Sequence, residues 1–177
     1  MKTKLLSLGL CALVLTACNS KNEEKKKASD AEKTYQLVWT DEFDAPGLPD
    51  ADKWFLETDA PENGGWYNNE KQHYTDRIEN AAVSDGTLKI IAKKESYTHN
   101  GSTQEFTSAR FNSKFHFTYG KVEVSAKLPR MQGTWPAIWA LGTNLPEVGW
   151  PACGEIDMME QLFENHLMVQ SAVHVAG

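Results

Sequence analysis

Glu155, Asp157 and Glu160 place three carboxylates within six residues, in the stretch Gly154-Glu155-Ile156-Asp157-Met158-Met159-Glu160. At 3.6 residues per turn, a helix would point Glu155 and Asp157 to nearly opposite sides. On a strand, positions two apart share a face, so these two acids line up. Glu160 then falls on the wrong face unless one extra residue is inserted. A β-bulge supplies one, and Met158-Met159 is the natural place for it. Three acids on one face repel and weaken a strand whose role is only structural. Glycoside hydrolysis gives them a use. A retaining glycosidase needs a carboxylate nucleophile and a carboxylic acid proton donor about 5 Å apart across the sugar–sugar bond. An acid between them can hold the nucleophile and shift protonation through charge coupling. The same residues, continued through Gln161-Leu162-Phe163-Glu164, also read as an amphipathic helix with a solvated acidic face. The rest of the chain must decide.

The segments that would position these acids read as strands. Tyr35-Gln36-Leu37-Val38-Trp39 is aromatic and β-branched and predicts a first strand. In Thr87–Lys93, Leu88, Ile90 and Ala92 share a face, and Asp85-Gly86 before them is a turn signal. Lys121–Leu128 alternates more cleanly, with Val122, Val124, Ala126 and Leu128 inward and Lys121, Glu123 and Lys127 outward. Arg110–Phe117 alternates in part. In Thr134–Leu141, Trp135, Ala137 and Trp139 share a face, so two tryptophans form a candidate sugar platform. Pro136 donates no ladder bond and suits a strand start or an edge. No long helical period competes before residue 155. Many short strands with Gly or Asn turns predict an all-β sandwich.

The chain has 177 residues, enough for one domain with a core. Its net charge of −6 argues against nucleic acid as a partner and suits a neutral ligand. Lys2 and Lys4 precede an apolar run, Leu5–Leu15, that is too short to span a bilayer as a mature helix. Leu15-Thr16-Ala17-Cys18 resembles a bacterial lipobox. That resemblance implies a signal peptide over residues 1–17 and a lipid anchor on Cys18. A solvated tether over residues 18–34 and a folded domain over residues 35–177 follow from the composition. Cys11 leaves with the signal and Cys18 carries lipid, so Cys153 stands alone and no intrachain disulfide forms. Gly64-Gly65-Trp66-Tyr67-Asn68-Asn69-Glu70 is rich in aromatic and amide groups, which suits either a sugar site or a surface turn. Glu42 reads as a calcium ligand or a solvated acid.

Taken together, the motifs resemble glycoside hydrolase family 16 in its laminarinase-like branch. The residues that carry this are Trp39-Thr40-Asp41-Glu42-Phe43, Asn68-Asn69-Glu70-Lys71-Gln72, Asp85-Gly86-Thr87-Leu88 and Thr107-Ser108-Ala109-Arg110. Tyr119–Glu123, Gly133–Trp139 and Gly149–Glu160 extend the match in the same order. The resemblance implies a β-sandwich jelly roll with a concave substrate cleft. It implies Glu155 as nucleophile, Glu160 as general acid/base and Asp157 as the coupled acid. Trp135, Trp139, Trp150, Asn68, Glu70 and Arg110 fall where the family lines its cleft, and His174 matches a histidine near it. Glu42 and the backbone of Gly86 match a structural calcium site, while catalysis itself requires no cofactor.

The implied activity is retaining endo-hydrolysis of β-1,3-glucan or mixed β-1,3/1,4-glucan. Two other readings are a non-catalytic glucan-binding surface lipoprotein and a hydrolase of agar-type galactan. The expected partner is the polysaccharide, with membrane contact through the lipid anchor alone, and a monomer is expected. The lipobox places the protein in the bacterial cell envelope, at the outer membrane or cell surface. The family's domain continues past Gly177, so its C-terminal strands are expected beyond this chain.

Overall fold

The computed structural model describes residues 34–61, 65–162 and 167–177. The expected signal peptide, Cys18 and all of the tether except Thr34 lie outside the described residues. Ten strands follow in chain order: β1 (Trp54–Leu56), β2 (Gln72–Tyr74), β3 (Ala81–Ser84), β4 (Thr87–Ile90), β5 (Lys93–His99), β6 (Ser102–Ser108), β7 (Phe111–Ser113), β8 (Ala137–Leu141), β9 (Glu155–Glu160) and β10 (Gln170–His174). A 3-10 turn at Tyr67–Asn69 and a one-turn helix α1 (Leu145–Val148) complete the described elements. The all-β expectation holds. Among the described residues, no helix is long and apolar enough to cross a membrane.

The strands pair as β1-β7, β3-β4, β2-β6-β5 and β10-β9-β8. All pairs are antiparallel except β2 with β6. Two hairpins close through two-residue loops with positive φ at both positions, Asp85-Gly86 (55° and 65°) and Asn100-Gly101 (48° and 80°). Such loops twist in the same sense as the strands they join. The Asp85-Gly86 turn was legible in the sequence. The single strand predicted over Thr87–Lys93 is instead two, because Ile91 leaves the ladder. Its N–H donates to the Asn80 carbonyl at 2.9 Å, and its own carbonyl accepts from Asn80 Nδ2 at 2.9 Å. In the Arg110–Phe117 stretch, only Phe111–Ser113 pairs.

Two predicted strands are absent. Tyr35–Trp39 is not a strand, and Tyr35, Leu37 and Val38 are exposed. Lys121–Leu128 also joins no ladder. Its alternation is nevertheless expressed. Val122, Val124, Ala126 and Leu128 line an apolar trough of about 280 Å³ together with Ile138, Met158 and Met159. Alternation therefore records which side faces apolar neighbours, and pairing needs a partner edge as well.

The unit from Trp39 onward is tied at its start by one edge-on and one stacked ring contact. Trp39 lies 5.3 Å from the Trp54 ring and 5.9 Å from that of Phe115. Trp54 Nε1 donates to Asp41 Oδ2 at 2.7 Å. Further along, the largest fully buried side chains are polar: His73, Thr75, Asn80 and Thr107. Asn80 joins three segments. Its Oδ1 accepts from the Thr75 hydroxyl at 2.6 Å and from Arg77 Nη2 at 3.0 Å. Its Nδ2 reaches Thr107 Oγ1 at 2.9 Å. A buried network of this kind is stabilising only while every member is paired. Asn80→Ala strands the Ile91 carbonyl and the Thr75 hydroxyl, so we expect a loss of about 3 kcal/mol in urea unfolding.

Candidate active site

Strand β9 carries the three acids, and its register shows how they share a face. On β8, Ala137, Trp139 and Leu141 oppose Glu160, Asp157 and Glu155. On β10, Gln170, Ala172 and His174 oppose the same three. Both sets step by two, and directly opposed residues of an antiparallel pair lie on the same face. The acids step by two and then three, so one residue of β9 is surplus. The register shift against β8 falls between Ile138 and Trp139, where Met158 has no partner of its own. This is the bulge that the Met158-Met159 spacing predicts, and the helical alternative is excluded.

Each acid has its own donor. Trp150 Nε1 donates to Glu155 Oε2 at 2.7 Å. Trp135 Nε1 donates to Glu160 Oε1 at 2.8 Å, and Gln170 Nε2 approaches Glu160 Oε2 at 3.5 Å. His174 Nε2 lies 3.1 Å from Asp157 Oδ2. Asp157 is 4% exposed, while Glu155 and Glu160 are half-buried. Burial pushes the Glu155 carboxyl above the usual carboxylate range. The Trp150 N–H pulls it back down, and the Asp157 charge and hydrogen bond push it up again. One oxygen or nitrogen from each of Glu155, Asp157 and His174 lies within 4.8 Å of the others. These are metal-ligand types, but Asp157 and His174 are engaged with each other and Glu155 with an indole.

The loop between β8 and β9 carries Trp150. Its neck is closed by Gly142 N–H donating to the Gly154 carbonyl at 3.0 Å. A Cβ on Gly142 would sit 2.0 Å from the Cys153 carbonyl oxygen, so the neck admits only glycine. Inside it, Gly149 N–H bonds the Leu145 carbonyl and Cys153 N–H bonds the Gly149 carbonyl, both at 2.9 Å. The Trp150–Pro151 peptide is cis. The Trp150 ring lies 5.8 Å from that of His174, tilted by 47°.

The remaining cleft candidates divide. Trp139 stands opposite Asp157, but the Arg110 guanidinium covers its ring at 4.7 Å. One ring face is therefore taken, which weakens the two-tryptophan platform. Arg110 Nε lies 2.9 Å from Glu57 Oε2, and its guanidinium stands 5.7 Å from the Trp66 ring. Trp66 meets Tyr74 edge-on at 4.6 Å, and Tyr74 donates to Glu70 Oε2 at 2.7 Å. Gln72 Nε2 donates to the same oxygen at 2.6 Å. Burial and the Glu70 charge raise the Tyr74 phenol far above its ordinary range. Glu70 and Arg110 thus belong to one contact chain that leads to Trp139. Asn68 is exposed, with φ of 58°, in the turn ahead of Glu70. Glu42 accepts from the Thr40 hydroxyl at 2.6 Å, and Gly86 sits in the β3–β4 turn, so neither belongs to the acid cluster. Gln170 and Glu57 went unread in the sequence. Their roles depend on strand register and on a partner 53 residues away, for which no local signal exists.

A bulged strand that presents three carboxylates on one face is the arrangement that retaining glycoside hydrolysis requires. The profile of glycosyl hydrolases family 16 matches residues 68–177. The chain belongs to that family. It is 42% identical over 166 residues to a beta-glucanase of Rhodothermus marinus, covering 91% of this chain and 54% of that protein. It is 39% identical over 140 residues to a glucan endo-1,3-beta-glucosidase of Cryptopygus antarcticus, covering 78% and 50%. A LamA variant from Zobellia galactanivorans, solved with laminaritriose and laminaritetraose, superposes with a TM-score of 0.77 at 54% identity, covering 79% of this chain and 61% of that one. The fold is thus that of the family's jelly-roll sandwiches. The chain spans about half the length of the curated relatives it matches.

The bulge can be tested by length. One alanine inserted between Met159 and Glu160 takes the third acid out of register with Ala137 and Gln170: to the reverse face if the bulge is kept, or one pair further along the same face if it is lost. We expect kcat/KM on laminarin to fall roughly a hundred- to ten-thousandfold, the range for a lost general acid. Deleting Met158 restores one-to-one pairing with β8 and keeps the acid on the same face, so it should cost far less.

Proposed function

We propose that this chain supplies the catalytic residues of a retaining endo-β-1,3-glucanase acting on laminarin-type or mixed β-1,3/1,4-glucan. The observation that carries this is the same-face register of Glu155, Asp157 and Glu160 across the bulge. The substrate class is supported by the relatives, which are a beta-glucanase and a glucan endo-1,3-beta-glucosidase by name.

The chemistry then follows from the three acids. Glu155 attacks the anomeric carbon while Glu160 gives its proton to the glycosidic oxygen, which leaves with the bonding pair. A glycosyl ester on Glu155 results. Glu160, now ionised, takes a proton from water as that water attacks the anomeric carbon from the face that the leaving group vacated. The ester bond breaks, and Glu155 and Glu160 recover their starting states. Two inversions give net retention. Asp157, buried beside Glu155 and held by His174, sets the local field during both steps.

We further propose that a structural calcium is held by the Glu42 carboxylate and the Gly86 carbonyl. Hard oxygen donors suit calcium. The Gly47–Val83 bridge ties the loop that follows Glu42 to the hairpin that carries Gly86. Excess calcium should raise Tm by roughly 5 °C relative to EDTA, and Glu42→Ala should abolish the difference. An unchanged Tm would remove the proposal.

The catalytic reading is tested with Glu155→Ala in the full-length protein. Laminarin hydrolysis should fall roughly a thousandfold or more. NMR of the wild-type reaction should show the β-anomer as first product. Undiminished turnover, or an α-anomer first, would refute the mechanism.

A further inference from the structure

We infer that Trp150 and Trp135 are positioning residues, each holding one of the two reacting carboxylates through its indole N–H. The inference rests on the hydrolase reading above and goes beyond a role for these rings in stacking against sugar.

A sugar platform uses the face of a ring, and the direction of its N–H is then immaterial. Here both N–H groups are aimed. Trp150 Nε1 meets Glu155 Oε2 at 2.7 Å, and Trp135 Nε1 meets Glu160 Oε1 at 2.8 Å. The two residues are 59% and 45% exposed, so neither indole is forced onto a carboxylate by enclosure in a core. The indole has one donor and no acceptor, and in each case it goes to a carboxylate. The pattern is also divided evenly. Trp150 comes from the loop ahead of β9, and Trp135 from the residues ahead of β8. They reach opposite ends of the β8–β9 ladder. Asp157, between them, takes His174 instead.

The backbone enforces both placements. The Gly142 neck fixes the loop that carries Trp150. Near Trp135, Gln161 N–H bonds the Pro136 carbonyl at 3.1 Å, and Thr134 Oγ1 bonds the Met131 carbonyl at 2.7 Å. The terminal torsion of a glutamate is otherwise broad. One strong donor on one oxygen sets the carboxylate plane and directs the second oxygen. For Glu155, the donor also stabilises the ionised form, which is the form that attacks.

Phenylalanine keeps a ring for stacking and removes only the N–H, so Trp150→Phe and Trp135→Phe in the full-length protein separate the two roles. Loss of a hydrogen bond to a charged group predicts a roughly ten- to hundredfold fall in kcat with KM changed about twofold or less. In Trp150→Phe, the acid limb of kcat/KM should move to higher pH, because ionised Glu155 has lost its donor. In Trp135→Phe, the defect should be large for aryl laminaribiosides with poor leaving groups and shrink for a dinitrophenyl leaving group, which needs little proton donation. A loss confined to KM, with unmoved limb and no leaving-group dependence, would reduce both residues to platforms. A readout independent of turnover is the indole 1H–15N spectrum. The Trp150 resonance should titrate with Glu155 in wild type and lose that titration in Glu155→Ala. An insensitive indole overturns the inference whether or not laminarin is cleaved, whereas continued cleavage by Glu155→Ala overturns only the hydrolase reading.

Discussion

Side chains alternate along a strand, and that rule alone would bury or expose Glu160 on the reverse of the sheet from Glu155 and Asp157. One unpaired methionine cancels it. The consequences spread through both neighbours of β9, because β8 and β10 must accommodate the same surplus residue. Both do so at the same place, and both keep regular steps of two on the face that carries the acids. The bulge therefore leaves the neighbouring strands intact and alters only which acid joins which face. On the other side of the sheet, Met158 and Met159 help to line the apolar trough with the 121–128 segment. A flexible thioether suits such an irregular wall.

Three acids on one face carry an electrostatic cost, and the surrounding donors show how it is met. Each acid receives a different polar group from a different part of the chain: an indole from the β8–β9 loop, an imidazole from β10, and an indole from the approach to β8. Among the described residues, no lysine or arginine forms an ion pair with any of the three. A full counter-charge would hold a carboxylate firmly ionised. A neutral indole N–H steers it with less bias, which suits Glu160 in the proposed mechanism, where that acid gives up and regains a proton.

Legibility in the sequence followed the range of the interaction. The β9 strand, its bulge and the Asp85-Gly86 hairpin were readable because spacing and turn chemistry act over a few residues. The 121–128 segment was misread because alternation reports facing and not pairing. Tyr35–Trp39 was misread for a related reason, since β propensity does not supply a partner. Trp139 was read as a platform from its spacing to Trp135, yet Arg110, 29 residues earlier, lies over its ring. The two indole–carboxylate bonds left no local trace at all. They depend on how the chain folds back beside β9; strand spacing pointed to Trp135 and the family resemblance to Trp150, each as a sugar contact and not as a donor.

Loop closure is then the link between backbone and chemistry. Trp150 is five residues from Glu155, too far for strand geometry to place its nitrogen on that carboxylate. The path between them must fold back. Gly142 makes this feasible by letting its backbone pass where a Cβ would strike the Cys153 carbonyl. Gly154, with φ of 78°, turns the chain from the loop into β9 at the residue before Glu155. A left-handed residue there costs a substituted side chain on the order of 1 kcal/mol or more, and glycine avoids that strain. Cys153 fits the same account. Its carbonyl faces the neck and its amide bonds Gly149, so the backbone of this free cysteine helps to shape the loop. Gly142 and Gly154 thus bear on the proposed chemistry through geometry: they close a loop whose one exposed aromatic then has a fixed carboxylate to meet.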